Sequence, residues 1–318
     1  MAPDRMNKKI LITGAQGFTG RYMAAEMREA GYEVFGLTHG AHGARSADSS
    51  VDSSDPITMF ACDLCDRAGL MHVVETVLPD FVVHLAGIAF VEHGNMDAMY
   101  RTNVVGTRNL LEALANGAHK PHKVLLASSA NVYGNTESDA LNENYPPSPA
   151  NDYAVSKLAM EYMARLWMDK LPIVIARPFN YTGVGQSDDF LIPKIVTHYA
   201  HRRKTLELGN LDVWRDFSDV RDIARLYCCL LEHGVAGEIY NLCSGTGWSL
   251  REVLDKVADL AGFTIPVQVN PAFVRASEVE RLIGSRKKLD GLPGAAPRFA
   301  LPDTLRWMLT TSTQAAPT

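Results

Sequence analysis

Short apolar, β-rich runs alternate along the first half of this chain with longer segments whose apolar positions recur at helical spacing. That alternation is the pattern of a parallel sheet joined by crossover helices, an α/β fold. Strands are predicted at Lys9–Thr13, Glu33–Thr38, Ile57–Ala61, Phe81–Leu85, Lys123–Ser128 and Pro172–Arg177. Helices are predicted at about Phe18–Ala30, Arg67–Val77, Met96–Gly117 and Tyr153–Asp169. The run Phe81-Val82-Val83-His84-Leu85 is apolar almost throughout, as suits a strand covered on both faces. His84 inside it reads as a core histidine with satisfied hydrogen bonds.

Beyond Arg177 the pattern loosens. Residues 178–212 and 241–318 carry Pro, Gly and isolated helices and read as a smaller, mostly C-terminal α/β domain, with 213–240 returning to the domain formed by 1–177. His39 to Pro56, rich in Gly, Ser, Asp and Ala, reads as a mobile loop, and Thr310 to Thr318 as a loose end. At 318 residues the chain can support two domains sharing one cleft.

Directly after the first strand stands Thr13-Gly14-Ala15-Gln16-Gly17-Phe18-Thr19-Gly20, opening a helix. Glycines at this spacing let the turn form and let backbone approach a pyrophosphate, which then sits on the helix N-terminus. A Gly-rich turn alone can be structural, but here it lies in a β–turn–α unit. The N-terminal domain therefore reads as a Rossmann, doubly wound parallel sheet binding a dinucleotide. Asp63-Leu64 after the third strand could receive an adenine amino group, and Leu85-Ala86-Gly87 after the fourth is small enough to admit a cofactor. Asn103, in the next helix, more often ties helix to sheet at such a place than touches ligand.

The end of the second strand bears on which cofactor. NAD sites usually place Asp or Glu there for the ribose 2′-OH. Here Gly36-Leu37-Thr38-His39 stands, with no acidic residue before Asp48. His39 and Arg45 could meet a 2′-phosphate, so NADP(H) is favoured and NAD(H) remains open.

Tyr153-Ala154-Val155-Ser156-Lys157 puts a tyrosine and a lysine on one helical face. A cationic lysine one turn away stabilises a phenolate and is expected to lower the tyrosine pKa. Upstream, Leu125-Leu126-Ala127-Ser128-Ser129-Ala130-Asn131-Val132-Tyr133-Gly134 ends the fifth strand with two serines where open α/β sheets bind ligands. A hydroxyl there can polarise a carbonyl oxygen beside the tyrosine.

These segments together resemble the extended short-chain dehydrogenases/reductases of the nucleotide-sugar epimerase/dehydratase family. TGxxGxxG, SSAxVYG, YAVSK and Arg177-Pro178-Phe179-Asn180 match it in order over nearly the whole chain. The resemblance implies Ser129, Tyr153 and Lys157 as catalytic residues, Lys157 and Phe179 also at the cofactor, and hydride moving between sugar and nicotinamide. Leu208-Gly209-Asn210-Leu211-Asp212-Val213-Trp214-Arg215-Asp216-Phe217, and Asn270-Pro271 with Arg275-Ala276-Ser277-Glu278-Val279, are similar to the GDP-mannose 4,6-dehydratases and the GDP-4-keto-6-deoxy-D-mannose reductases, the latter most. That implies Arg215 and Arg275 on a diphosphate, Glu278 on the nucleoside, Asn180 and Lys194 along the phosphate path, and Phe90, Ser129 and Asn131 at the sugar. The implied substrate is a GDP-linked 4-keto-6-deoxy sugar, and the implied assembly a homodimer packed through the helices Met96–Gly117 and Tyr153–Asp169. The chain departs from the pattern at Ile88-Ala89-Phe90, where hydroxyl residues are usual, and at Ala276, where Pro is common.

Three readings remain: a 4-keto reductase with NADPH, a 4-epimerase with retained NAD, and a non-enzymatic nucleotide sensor, which would typically have lost Tyr153 or Lys157. Dehydratases place a carboxylate two residues after the catalytic hydroxyl; here that position is Asn131, whose amide cannot take a proton. Composition removes other classes. Lys plus Arg total 31 and Asp plus Glu 36, a net charge of −5, which argues against a nucleic-acid partner. No apolar run is long enough for a signal peptide or a bilayer span, so a cytoplasmic enzyme without membrane partners is expected. Cys62 and Cys65 form a CxxC without a second ligand pair, and are expected as thiols with no metal.

Overall fold

The computed structural model describes residues 8–39, 57–89, 95–135, 140–273 and 279–314. Arg45, Phe90, Arg275 and Glu278, and most of the predicted 39–56 loop, lie outside them.

The chain runs β1 (Lys9–Thr13), α1 (Phe18–Glu29), β2 (Glu33–Thr38), β3 (Thr58–Ala61), α2 (Arg67–Val77), β4 (Phe81–His84), α3 (Met96–Tyr100), α4 (Thr107–Asn116), β5 (Lys123–Ala127), α5 (Asp152–Arg165) and β6 (Ile173–Pro178). It continues through β7 (Asn180–Thr182), α6 (Leu191–Ala200), β8 (Leu206–Leu208), β9 (Trp214–Asp219), α7 (Val220–His233) and β10 (Ile239–Leu242). Last come β11 (Gly247–Ser249), α8 (Leu250–Ala261), β12 (Val267–Val269), β13 (Arg281–Leu282) and α9 (Leu301–Gln314).

Seven strands form one sheet in the order β10-β6-β5-β4-β1-β2-β3, every pair parallel. Alternate residues serve opposite faces. Ile10, Ile12 and Val83 pack under Met23 and Met27 of α1 and Ile223 and Leu230 of α7. Leu11 and Val82 pack under Leu70 and Val74 of α2, Leu110 and Leu114 of α4 and Met160 of α5. Both faces are thus apolar, which is why these strands lack polar alternation. From β1 the chain winds outward to β3, then returns across β1 to build β4, β5, β6 and β10. The reversal opens a crevice between β1 and β4 at the carboxyl edge, where such sheets take ligands.

A second core gathers α6, α8 and α9 around Phe217, Leu206 and Leu208. Its strands are β11-β9-β13, with β7 on β9, and the pair β12-β8. Within 213–240, α7 and β10 join the main sheet, whereas β9 belongs to the second one. The expected helix Met96–Gly117 is broken: Arg101–Gly106 is a π-helical turn between α3 and α4. The expected helix end at Asp169 falls instead at Arg165. Among the described residues no helix is long and apolar enough to cross a membrane.

Two glycines shape the turn after β1. Gly14 holds φ +71°, and a Cβ there would stand 2.9 Å from the Ala86 nitrogen. A Cβ at Gly20 would run into the Gly14 carbonyl and lie 2.7 Å from Ala15 Cα. Both obstacles are backbone, which cannot step aside. Gly20→Ala should therefore destabilise the fold by about 2–4 kcal/mol, read by denaturant titration; an unchanged midpoint would contradict this packing.

Candidate active site

The predicted dinucleotide residues converge on the crevice. Gly17 caps α1 in extended conformation, with no side-chain cap on the helix and no acidic residue in its first turn. Free N–H groups at a helix start suit an anionic diphosphate. Thr38 Oγ1 donates to Gln16 Oε1 at 3.0 Å, bridging the end of β2 to the glycine turn. Exposed His39 faces Asp63 at 3.7 Å, and Asp63 Oδ1 accepts from the Cys65 amide at 2.8 Å. Asp63 therefore shapes its own turn as well as facing the rim. Leu64 is buried, its carbonyl held by Asn109 at 3.0 Å. The Phe179 ring is also buried, stacked on Tyr133 with centroids 6.2 Å apart, so only its backbone can face a cofactor.

Asn103 ties helix to sheet, as expected. Its Oδ1 accepts from the Ile88 amide at 2.9 Å, and its Nδ2 donates to the Ile88 carbonyl at 3.1 Å and to Ser156 Oγ at 3.0 Å. His84 is the satisfied core histidine. The Ala86 amide donates to Thr13 Oγ1 at 3.1 Å, and Thr107 Oγ1 donates to the Asn103 carbonyl at 2.7 Å. Each threonine has one hydroxyl proton, so Thr13 donates to His84 Nδ1 (2.7 Å) and His84 Nε2 donates to Thr107 (2.8 Å). Burial pushes the imidazole down to about 3, so it stays neutral.

Ser129, Tyr153 and Lys157 come together at the end of β5. The Ser129 hydroxyl stands by the Tyr153 phenol and favours its anion, and Lys157 Nζ donates to the Ala127 carbonyl at 2.9 Å. Ser129 Oγ also accepts from the Asn131 amide at 3.1 Å, opening the 3-10 turn Ala130–Tyr133. Asn151 caps α5 through the Ala154 amide at 2.9 Å, fixing where Tyr153 leaves the helix.

The electrostatics differ from expectation in one respect. Desolvation pushes Tyr153 up to about 12, with Tyr181 adding and Ser129 opposing. The lowering expected from Lys157 is not what acts on the phenol: burial raises it, and Ser129 is the group that opposes. Burial also brings Lys157 down to about 8, partly offset by Glu161. At neutral pH the site holds a protonated phenol beside a lysine that is still mostly cationic. That pair can give a proton to an oxygen and then stabilise the phenolate left behind.

Of the other substrate-side residues that the structure describes, Asn180 and Arg215 fall on the second sheet and Lys194 on α6. Asn180 pairs with Phe217 across β7 and β9, and its Nδ2 is buried with no partner among the described residues. A buried amide donor without an acceptor fits a ligand oxygen. Arg215 donates to the carbonyls of Trp214 (2.9 Å) and Glu280 (3.2 Å). Lys194 lies over the Phe273 ring at 4.3 Å. Asp216, which the sequence reading left unassigned, is buried and receives Ser244 Oγ (2.6 Å), the Ser244 and Gly245 amides (2.7 and 2.9 Å) and the Gly284 amide (3.3 Å). Tyr181 was also unassigned; its hydroxyl meets Thr19 Oγ1 at 2.8 Å and its ring stacks on Phe18 with centroids 6.1 Å apart. Nothing in residue spacing signals either one, since each acts across a strand crossing.

The NAD dependent epimerase/dehydratase family model matches residues 10–243. The chain belongs to that family. The GDP-6-deoxy-D-talose 4-dehydrogenase of Aggregatibacter actinomycetemcomitans is 34% identical over 92% of this chain and 93% of its own. The GDP-6-deoxy-D-mannose reductase of Pseudomonas aeruginosa is 34% identical over 96% and 97%. The solved structure of RMD from Pseudomonas aeruginosa complexed with NADPH superposes with a TM-score of 0.81 at 30% identity, over 98% of this chain and 99% of that one. This epimerase/dehydratase family member is an oxidoreductase using a nicotinamide dinucleotide, and the crevice residues fit that group.

Lys157 is cationic below its pKa and neutral above it. The kcat/KM of this oxidoreductase, which reports the free enzyme, should fall as pH rises through about 8, by about tenfold per unit. A profile flat to pH 10.5, the ordinary lysine value, would remove Lys157 from the reaction.

Proposed function

We propose that this protein reduces the 4-keto group of GDP-4-keto-6-deoxy-D-mannose with NADPH, giving GDP-D-rhamnose. The carrying observation is Tyr153 and Lys157 one helical turn apart on α5, set against the Ser129 hydroxyl and the Ala127 carbonyl at the end of β5. The bound dinucleotide supplies the hydride to C4. Tyr153 gives its proton to the carbonyl oxygen, so the ketone becomes an alcohol with charge and atoms balanced. Lys157 stabilises the phenolate until solvent restores the proton, and Ser129 holds the oxygen in line.

The relatives support the sugar. 6-Deoxy-D-talose and 6-deoxy-D-mannose differ only at carbon 4, so oxidation of either there gives the same ketone. We assign Gly14, Gln16, Gly17, Phe18, Thr19, Gly20, Thr38, His39, Asp63, Leu64, Leu85, Ala86, Gly87, Asn103, Phe179, Tyr153 and Lys157 to the dinucleotide. Phe90, Ser129, Asn131, Asn180, Lys194, Arg215, Arg275 and Glu278 are assigned to the sugar nucleotide; of these Asn180, Lys194, Arg275 and Glu278 fall in the domain formed by 178–212 and 241–318. The enzyme is read as cytoplasmic and homodimeric; exposed Val105, Val155, Tyr162 and Leu166 lie on the helices expected to pair.

Asn131 argues against dehydration. GDP-mannose with NADP⁺ should give no product lighter by one water, whereas GDP-4-keto-6-deoxymannose should consume NADPH. Dehydration seen by mass spectrometry would overturn this reading. Tyr153→Phe should lower turnover by roughly 10²–10⁴-fold with little change in KM; near-normal turnover would sink the assignment. Calorimetry should show NADPH bound more tightly than NADH, because β2 ends in Thr38-His39 rather than in the carboxylate that holds a ribose 2′-OH, and the Asp63 carboxylate from the next strand is engaged by His39 at 3.7 Å; equal or tighter NADH binding would reverse the cofactor assignment.

A further inference from the structure

Tyr153, Lys157 and Glu161 stand at successive turns of α5, and each meets a different residue at the end of β5. Tyr153 meets the Ser129 hydroxyl, Lys157 the Ala127 carbonyl at 2.9 Å, and Glu161 the Ser128 hydroxyl at 2.5 Å. Three consecutive residues are thus fixed by three positions spaced four apart, which is one stripe of a helix. Glu161 is fully buried, and the proposed chemistry does not use it.

Its carboxylate is held from the far side as well. Arg177 donates through Nε to Oε1 at 2.9 Å and through Nη2 to Oε2 at 2.6 Å, a bidentate pair buried on both partners. Arg177 in turn lies over the Tyr133 ring at 4.9 Å, and the Tyr133 hydroxyl donates to Asn241 Oδ1 at 2.7 Å. The grip therefore extends from β6 to β10 behind the catalytic turn. A buried ion pair gives little net stability over apolar residues of like volume. What it does provide here is a fixed acceptor at one point in space.

We propose that Glu161 is a positioning residue: gripped by Arg177, its carboxylate locks Ser128 and so holds the strand end carrying Ser129 and the Ala127 carbonyl against Tyr153 and Lys157. The inference rests on the reading that Tyr153 is the proton donor. Without the Ser128 anchor the strand end can twist about its backbone, moving Ser129 relative to the phenol while leaving the binding surfaces intact.

Ser128→Ala removes the anchor and leaves the Glu161–Arg177 pair whole. Its kcat should fall roughly 10- to 100-fold, the scale of a small misplacement of reacting groups. KM for the sugar nucleotide and Kd for the dinucleotide should stay within about twofold. The double variant Glu161→Gln, Arg177→Met strands no buried charge and should show the same kcat loss with native circular dichroism. Tyr153→Phe is assayed alongside. Loss of turnover in Tyr153→Phe with wild-type kcat in Ser128→Ala would overturn the positioning role alone. Full turnover in Tyr153→Phe would overturn the proton-donor reading itself. A Ser128→Ala defect confined to KM would also exclude the role proposed for Glu161.

Discussion

In a parallel sheet every strand delivers its last residue to the same edge, and the chain can return only by crossing over a face. Register then decides which residues meet. Thr13 pairs with His84, His84 with Leu126 and Leu126 with Ile175, so the ends of β1, β4, β5 and β6 fall within three residues of one level. The glycine turn, Leu85-Ala86-Gly87, the serine pair and Phe179-Asn180 all follow those ends directly. Segments more than a hundred residues apart in sequence share one crevice for this reason alone.

Ionisable groups behind the crevice are held in different states by how each is paired. His84 is kept neutral by burial and by the nearby Lys157 cation, with both ring nitrogens bonded to threonines. Tyr153 keeps its proton because the anion would lose more solvation than nearby groups return. Lys157 sits nearest the balance point, since Glu161 restores part of what burial removes. Arg177 alone is driven firmly to its charged form, through two bonds to one carboxylate. One helix and two strand ends thus hold a proton donor, a cation and a fixed anion within a few residues of each other.

The main sheet was legible in the sequence because strands buried on both faces leave uninterrupted apolar runs. β1 and β2 agree with expectation to the residue, and the other four expected strands to within a residue at either end. The pairing of Tyr153 with Lys157 was legible because it depends on helical spacing alone. The expected effect of that pairing on the phenol was not, since burial is a property of the packed molecule. Membership of β9 in the second sheet escaped for a similar reason: Trp214–Asp219 has the pattern of a strand but no mark of which strands it joins. Asp216 and Tyr181 act across strand crossings, and Glu161 reads as one more charged residue on a helix until Arg177 is placed behind it.

The π-helical turn at Arg101–Gly106 carries the footprint of one residue too many. Each residue of an α-helix turns the chain by about 100°, so closing that turn by deleting one residue would rotate everything on one side of it relative to the other. Asn103 could then no longer face Ile88 and Ser156 while Leu110 and Leu114 kept to the core. The helix must either hold the loop after β4 or remain regular. The extra residue is what lets one helix meet both demands, turning Asn103 to the loop while the turns that follow keep their apolar side to the sheet.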